Sequence, residues 1–156
     1  MRKNRSAFIG AAAVLMACTS AHAAGAVDVR WIEPETFSDA GRSEADRSRV
    51  MQTLDTHINR LARSLPTGQT LTLDVTDLNL AGEIVPASWR DVRVLRGGAD
   101  WPQMSLRYTL QSEGRTLKSG EVRLSDMHYT FTTRPDELGY EKRMIDRWFK
   151  SEFLTP

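Results

Sequence analysis

Gln103-Met-Ser-Leu-Arg-Tyr-Thr-Leu-Gln-Ser-Glu-Gly-Arg-Thr-Leu-Lys-Ser-Gly-Glu-Val-Arg-Leu124 alternates apolar and polar residues, turns once and returns. Met104, Leu106, Tyr108 and Leu110 share one face, and Gln103, Ser105, Arg107, Thr109 and Gln111 share the other. That period of two is a half-buried strand. Glu113-Gly114 supplies a tight turn, and Thr116 to Leu124 is the returning strand, with Ser119-Gly120 as a bulge or bend. Pro102 stands at the strand entry, where its missing N–H costs least. A hairpin with one polar face must bury the other, so the flanking chain has to supply a cover.

Working outward, Val27, Val29 and Trp31 alternate with Asp28, Arg30 and Ile32 in a first strand that Glu33-Pro34 ends. From Glu44 to Leu65 the period becomes helical. Val50, Leu54, Ile58, Leu61 and Leu65 fall within about 80° of arc. Pro66 and Gly68 stop this helix. Leu71, Leu73 and Val75 alternate with threonines and Asp74, and the break at Asp77-Leu78 implies a bulge before Leu80. Gly82 to Ser88 reads as loop and Asp91 to Leu95 as a short strand. Pro135 with Asp136 and Glu137 opens a last helix running to about Phe153, with Leu138, Ile145 and Phe149 as its core stripe; Gly139 can delay its start by a turn. The expected fold class is α+β: an antiparallel sheet of about five strands with two helices packed on one face.

The 156 residues carry 21 Lys+Arg and 20 Asp+Glu, with 40% hydrophobic and 26% charged residues, a globular composition. Three of the cations, Arg2, Lys3 and Arg5, form a basic start followed by the apolar run Ala7 to Ala17 and the small-x-small site Ala21-His22-Ala23. These read as an export signal over 1–23, with one α+β domain over 24–156 placed in the periplasm. The apolar run is shorter than the ~20 residues a bilayer span needs, and no later stretch reaches that length. Leu15-Met16-Ala17-Cys18 also resembles a lipobox, which would instead lipidate Cys18 and place an outer-membrane lipoprotein. Cys18 is the only cysteine, so the exported domain would have neither a disulfide nor thiolate chemistry. Without its basic start the chain is slightly acidic, which argues against nucleic acid as a partner.

No H-E-x-x-H, G-x-S-x-G, G-x-G-x-x-G or Walker-type loop occurs, and His57 and His128 are the only histidines past the signal, so neither a metal nor a cofactor is expected. His57 lies at the margin of the long helix's apolar arc and reads as structural. Ser125-Asp126-Met127-His128-Tyr129 gathers hydroxyl, carboxylate and imidazole. Sequential neighbours rarely place an imidazole between the other two groups, so the strand-end reading prevails, with Asp126 bonding backbone N–H groups.

Glu141 lies about 60° from Leu138 around the last helix, on the side of Met144 and Trp148. A carboxylate there needs a partner at the helix–sheet seam: an arginine such as Arg107 or Arg123, or a backbone or hydroxyl donor. Lys142, Asp146 and Lys150 read as a solvated charge ladder. Asp77, Asp126, Tyr129 and Glu141 are therefore the candidate polar cluster, structural or functional. Trp89 and Trp101 flank loops and are the candidate surface-binding aromatics, with Arg90, Arg93 and Arg96 nearby to contact anionic groups.

Several ordered motifs remain: Val29-x-Trp31-Ile-Glu-Pro-Glu-x-Phe37-x-Asp39-Ala, Gly68-Gln-x-Leu71, Asp77-x-x-Leu80-Ala-Gly-Glu83, Trp101-Pro102-x-x-x-Leu106-x-Tyr108-x-Leu110, Ser119-Gly-Glu121, Leu124-Ser-Asp-Met127-x-Tyr129 and Tyr140-Glu-Lys-x-Met144-x-Asp146-x-Trp148-Phe149. In this order they resemble the proteobacterial secreted family catalogued as domain of unknown function 3016, over about Val27 to Phe153. The resemblance implies an exported bacterial protein and supplies no activity, substrate or cofactor. The family pattern carries Asn where this chain has His128, which weighs against a catalytic histidine.

The residues then point to a non-enzymatic binding or structural module of the cell envelope, whose partner is an envelope protein or a glycan. The alternative is a hydrolase or transferase that works on cell-wall material through Asp77, Asp126 or Glu141. Geometry separates the two. An enzyme needs at least two of those carboxylates converging on one concave site.

Overall fold

The computed structural model describes residues 25–87, 91–129 and 137–155. In chain order the elements are β1 (Ala26–Trp31), a 3-10 turn (Pro34–Thr36), α1 (Glu44–Ala62), β2 (Gln69–Asn79), β3 (Glu83–Pro86), β4 (Asp91–Val94), β5 (Gln103–Ser112), β6 (Arg115–Ser125) and α2 (Gly139–Phe149). A π-helical turn over Lys150–Leu154 prolongs α2. The export signal, Cys18, Trp89, Arg90, and the Pro135-Asp136 helix start lie outside the described residues.

The β5–β6 hairpin forms as its alternation predicts. Glu113 and Gly114 both take positive φ, 50° and 76°, as a type I′ turn requires. The bulge is not at Ser119-Gly120. The register shifts where Leu110 pairs Lys118 and Gln111 pairs Thr116, so Leu117 is the extra residue, 53% exposed. Gly120 pairs regularly with Tyr108, and a Cβ there would come within 3.0 Å of the Tyr108 ring. The glycine is needed because the tyrosine lies across it.

Four strands form the main sheet in the order β1-β2-β5-β6. β2–β5 and β5–β6 are antiparallel, while β1 and β2 are parallel. The class is α+β as expected, but the sheet is mixed rather than wholly antiparallel. The cause is α1, a crossover that returns the chain alongside β1 in the same direction. The stretch expected as loop after Gly82 contains β3, which pairs with β4 as a separate two-stranded ribbon. Four residues ending in proline carry too little pattern to read as a strand alone. The bulge in β2 falls between Val75 and Asp77 and returns Leu78 to the buried face.

Both helices cover one face of the sheet. Leu71, Leu73 and Val75 of β2 and Leu106, Tyr108 and Leu110 of β5 pack with Leu54 and Ile58 of α1 and Ile145 and Phe149 of α2 in one core. Fully burying each such side chain is worth about 1.5–3 kcal/mol. Leu61 and Val50 are only partly buried at its margin. Ser43 caps α1 reciprocally with Asp46. Gly25 abuts the other end of that helix, where a Cβ would stand 2.5 Å from that of Leu65. Gly139 does delay α2, with Leu138 left-handed at its N-cap. Among the described residues no helix is long and apolar enough to cross a membrane.

Candidate functional site

The turn that leaves β6 brings Asp126 and Tyr129 against α2. The α2 arginines 143 and 147 are one turn apart and point the same way. Their guanidinium nitrogens lie 3.1 and 2.9 Å from Asp126 Oδ2. Asp126 Oδ1 accepts weakly from the His128 N–H at 3.3 Å. Burial raises the Asp126 pKa, but hydrogen bonds from Arg147 and Arg143 outweigh it, so the carboxyl titrates below its ordinary value. Arg143 also donates to the Tyr129 carbonyl at 3.0 Å, which ties the two candidates together.

Tyr129 is fully buried and stacks edge-on to Tyr140 at 4.9 Å. Its hydroxyl donates to Asp100 at 2.8 Å and accepts from the Gly97 N–H at 3.2 Å. Burial and the bond to Asp100 push its pKa up to about 12, so at neutral pH it is a donor rather than a base. Asp100 in turn accepts the N–H groups of Arg96 and Gly98 at 2.6 and 3.0 Å. Tyr129 thus staples the loop before β5 to α2.

Glu141 and Asp77 stand apart from this pair. Glu141 is 2% exposed and its Oε1 accepts the Ala81 N–H at 2.8 Å, just beyond β2. Neither Arg107 nor Arg123 reaches it. Both alternate with the core residues of their strands and so project from the polar face, where Arg123 donates to Gln103. Desolvation raises the Glu141 pKa; the Ala81 hydrogen bond only partly offsets it. Asp77 accepts both the N–H and the hydroxyl of Ser38, at 2.8 and 3.0 Å, and holds the segment after β1 against β2.

Neither cleft near β3 is lined by Asp77, Asp126 or Glu141. One, of about 350 Å³, presents Asp39, Glu83 and Asp100 instead. Asp39 is gripped at both oxygens by Arg93, at 2.8 and 3.2 Å. Asp100 is held as above, and Glu83 lies 3.6 Å from Arg96. Arg93 and Arg96 therefore serve internal acids. Trp101, expected as a surface anchor, is half-buried.

Asp146 does not remain in a solvated ladder. It crosses to α1 and meets buried His57 Nε2 at 2.6 Å. Asp39, Asp100, Arg143 and Arg147 are polar residues that the sequence pattern does not single out, while Arg93, expected to contact an external anionic group, holds Asp39 instead. The i, i+4 spacing of the two α2 arginines was the one local signal available.

A family model described as "Protein of unknown function (DUF3016)" matches residues 25–151. No curated protein and no solved structure matches the chain.

Proposed function

The chain belongs to the DUF3016 family, and from that premise we propose that it is an exported cell-envelope module that acts by binding or bracing rather than by turnover. One observation carries this reading. The three carboxylates that could run acid–base chemistry, Asp77, Asp126 and Glu141, are held by donors in three different places. General acid–base catalysis needs two groups facing one substrate, and these face the fold itself.

Export rests on the basic start, the apolar run and the Ala21-His22-Ala23 site. Intact mass of protein recovered from the producing cell should correspond to a chain beginning at Ala24. A diacylated Cys18 at the N-terminus would make it a lipoprotein instead.

Binding is tested by co-sedimenting the purified protein with isolated sacculi and with outer-membrane vesicles. The expected result is saturable retention that Asp77→Asn and Glu141→Gln leave intact. Release of soluble cell-wall products, abolished by either substitution in a folded protein, would establish the hydrolase or transferase alternative.

A further inference from the structure

We propose that β6 is a dimerisation edge, along which a second copy of this chain lays its own β6 antiparallel to the first. The main sheet has two edge strands, and β6 is the longer, Arg115–Ser125 against Ala26–Trp31 for β1. Among the described residues no strand pairs with its outer side. All of its residues are exposed except Val122 and Leu124. An edge strand carries a row of unpaired N–H and C=O groups, a template that another strand completes. Such a dimer goes beyond the binding reading above and does not depend on it.

Symmetry and charge together select the occupant. A two-fold axis normal to the sheet sets opposite each other only residues that share a face. The bulge at Leu117 interrupts the edge, so regular pairing is confined to residues 118–125. Two symmetric registers use that stretch most fully. One, centred on Glu121, sets that carboxylate against its own copy. The other, centred on Val122, pairs Ser119 with Ser125, Gly120 with Leu124 and Glu121 with Arg123. It makes two Glu–Arg pairs, one on each side of the axis. A centre on Arg123 sets arginine against arginine, and one on Gly120 sets Glu121 against Ser119. β6 therefore complements itself in one register, as a two-fold interface requires.

Exposed apolar residues fit the same register independently. Just past the ends of the ladder it brings residue 117 of one copy beside residue 127 of the other. Leu117 and Met127 are the two most exposed large hydrophobic residues among those described, at 53% and 60%. Val122 is only partly buried at the margin of the core, and its counterpart on the axis extends the apolar face across the junction. On the polar face Glu121 stands opposite Arg107 of β5, and Arg123 donates to the neutral Gln103 oxygen. The row across the joined sheets then alternates in sign: Arg107, Glu121, and Arg123 of the second copy.

Sedimentation equilibrium on protein recovered from the producing cell, at low salt, should show a reversible monomer–dimer equilibrium tighter than about 0.1 mM. Glu121→Arg and Arg123→Glu each turn both cross-strand pairs into like charges, and each should weaken the dimer by about tenfold or more. Mixed in equal amounts, the two variants should associate with each other, because every pair is again Glu against Arg. The swap Glu121→Arg/Arg123→Glu within one chain should restore the dimer in the same way. Thermal unfolding checks that each variant is folded. Glu35→Arg, exposed in the turn after β1, is the charge-matched control. The dimer is overturned if wild type stays monomeric at that concentration, or if Glu35→Arg weakens it as much. Association that persists in both reversals would place the contact on another surface and refute the β6 edge. Loss in the single variants with no recovery in their mixture would refute the Val122 register and the self-complementarity drawn from it.

Discussion

Asp126 and Glu141 both lie at the seam between α2 and the sheet, 4% and 2% exposed, yet the fold treats them in opposite ways. Asp126 comes from the sheet side and receives two guanidiniums from α2. Glu141 comes from α2 and receives only neutral backbone N–H groups, that of Ala81 just beyond β2 and its own. The first carboxyl is easier to ionise than usual and the second harder. Burial alone therefore does not fix the state of a carboxyl; the charge of its partner does. α2 is clamped by a charged contact on one flank and a hydrogen bond on the other, and those contacts should respond differently to the same loss.

The largest effect should follow from Asp126→Asn. It leaves Arg143 and Arg147 facing an uncharged amide in a site that excludes most water. Breaking a buried ion pair costs about 3–5 kcal/mol, and the partly open arginines put this one near the lower end, about 3 kcal/mol. Urea unfolding at neutral pH measures it. A loss within experimental error would mean that the clamp is decorative and the contrast with Glu141 is empty.

The two arginines sharpen the same point at smaller scale. Arg143 has a side chain 25% exposed and bonds both Asp126 and the Tyr129 carbonyl, whereas that of Arg147 is 55% exposed and bonds Asp126. Arg143→Ala should cost about 1–2 kcal/mol, and Arg147→Ala less than about 1 kcal/mol, because solvent already screens it. Equal losses in urea unfolding would show that exposure is not what divides them.

Much of this seam is legible in the amino-acid sequence, and the reason lies in which facts are local. The angle of Glu141 around its helix follows from counting residues, so its burial can be read directly. Its partner cannot, since the Ala81 N–H is 60 residues away and a backbone donor leaves no mark in the sequence. Asp126 is the reverse case. Its partners are paired arginines at helical spacing, but the eye goes to its neighbours Ser125 and His128, which suggest a triad. The β5–β6 hairpin and α1 are readable because a period repeats over many residues. β3 is not, because a four-residue strand exists only through its pairing with β4. The direction of β1 escapes for a related reason: parallel pairing is a consequence of the α1 crossover, and no residue within the strand records it.

Glu141→Gln should have the smallest effect and, at neutral pH, the opposite sign. The pKa of Glu141 is raised on folding, so its contribution to stability is complete below the ordinary glutamate value of 4.5 and is lost as pH rises through the folded value. Gln cannot ionise but can still accept the Ala81 N–H. Near pH 4 the two proteins should then match within about 1 kcal/mol, since only the hydrogen bond is compared. Toward pH 7 the variant should become the more stable, because it avoids the desolvated charge. Asp126 sets the other limb. Its lowered pKa gives stability above the unfolded carboxylate range that is lost as pH falls through the folded value, so Asp126→Asn should flatten the acid side of the profile. Unfolding free energies for wild type and both variants across pH 3–8 resolve the two limbs. If Glu141→Gln instead loses stability steadily toward neutral pH, the carboxylate at 141 is stabilised as an anion, and the two sites are alike after all.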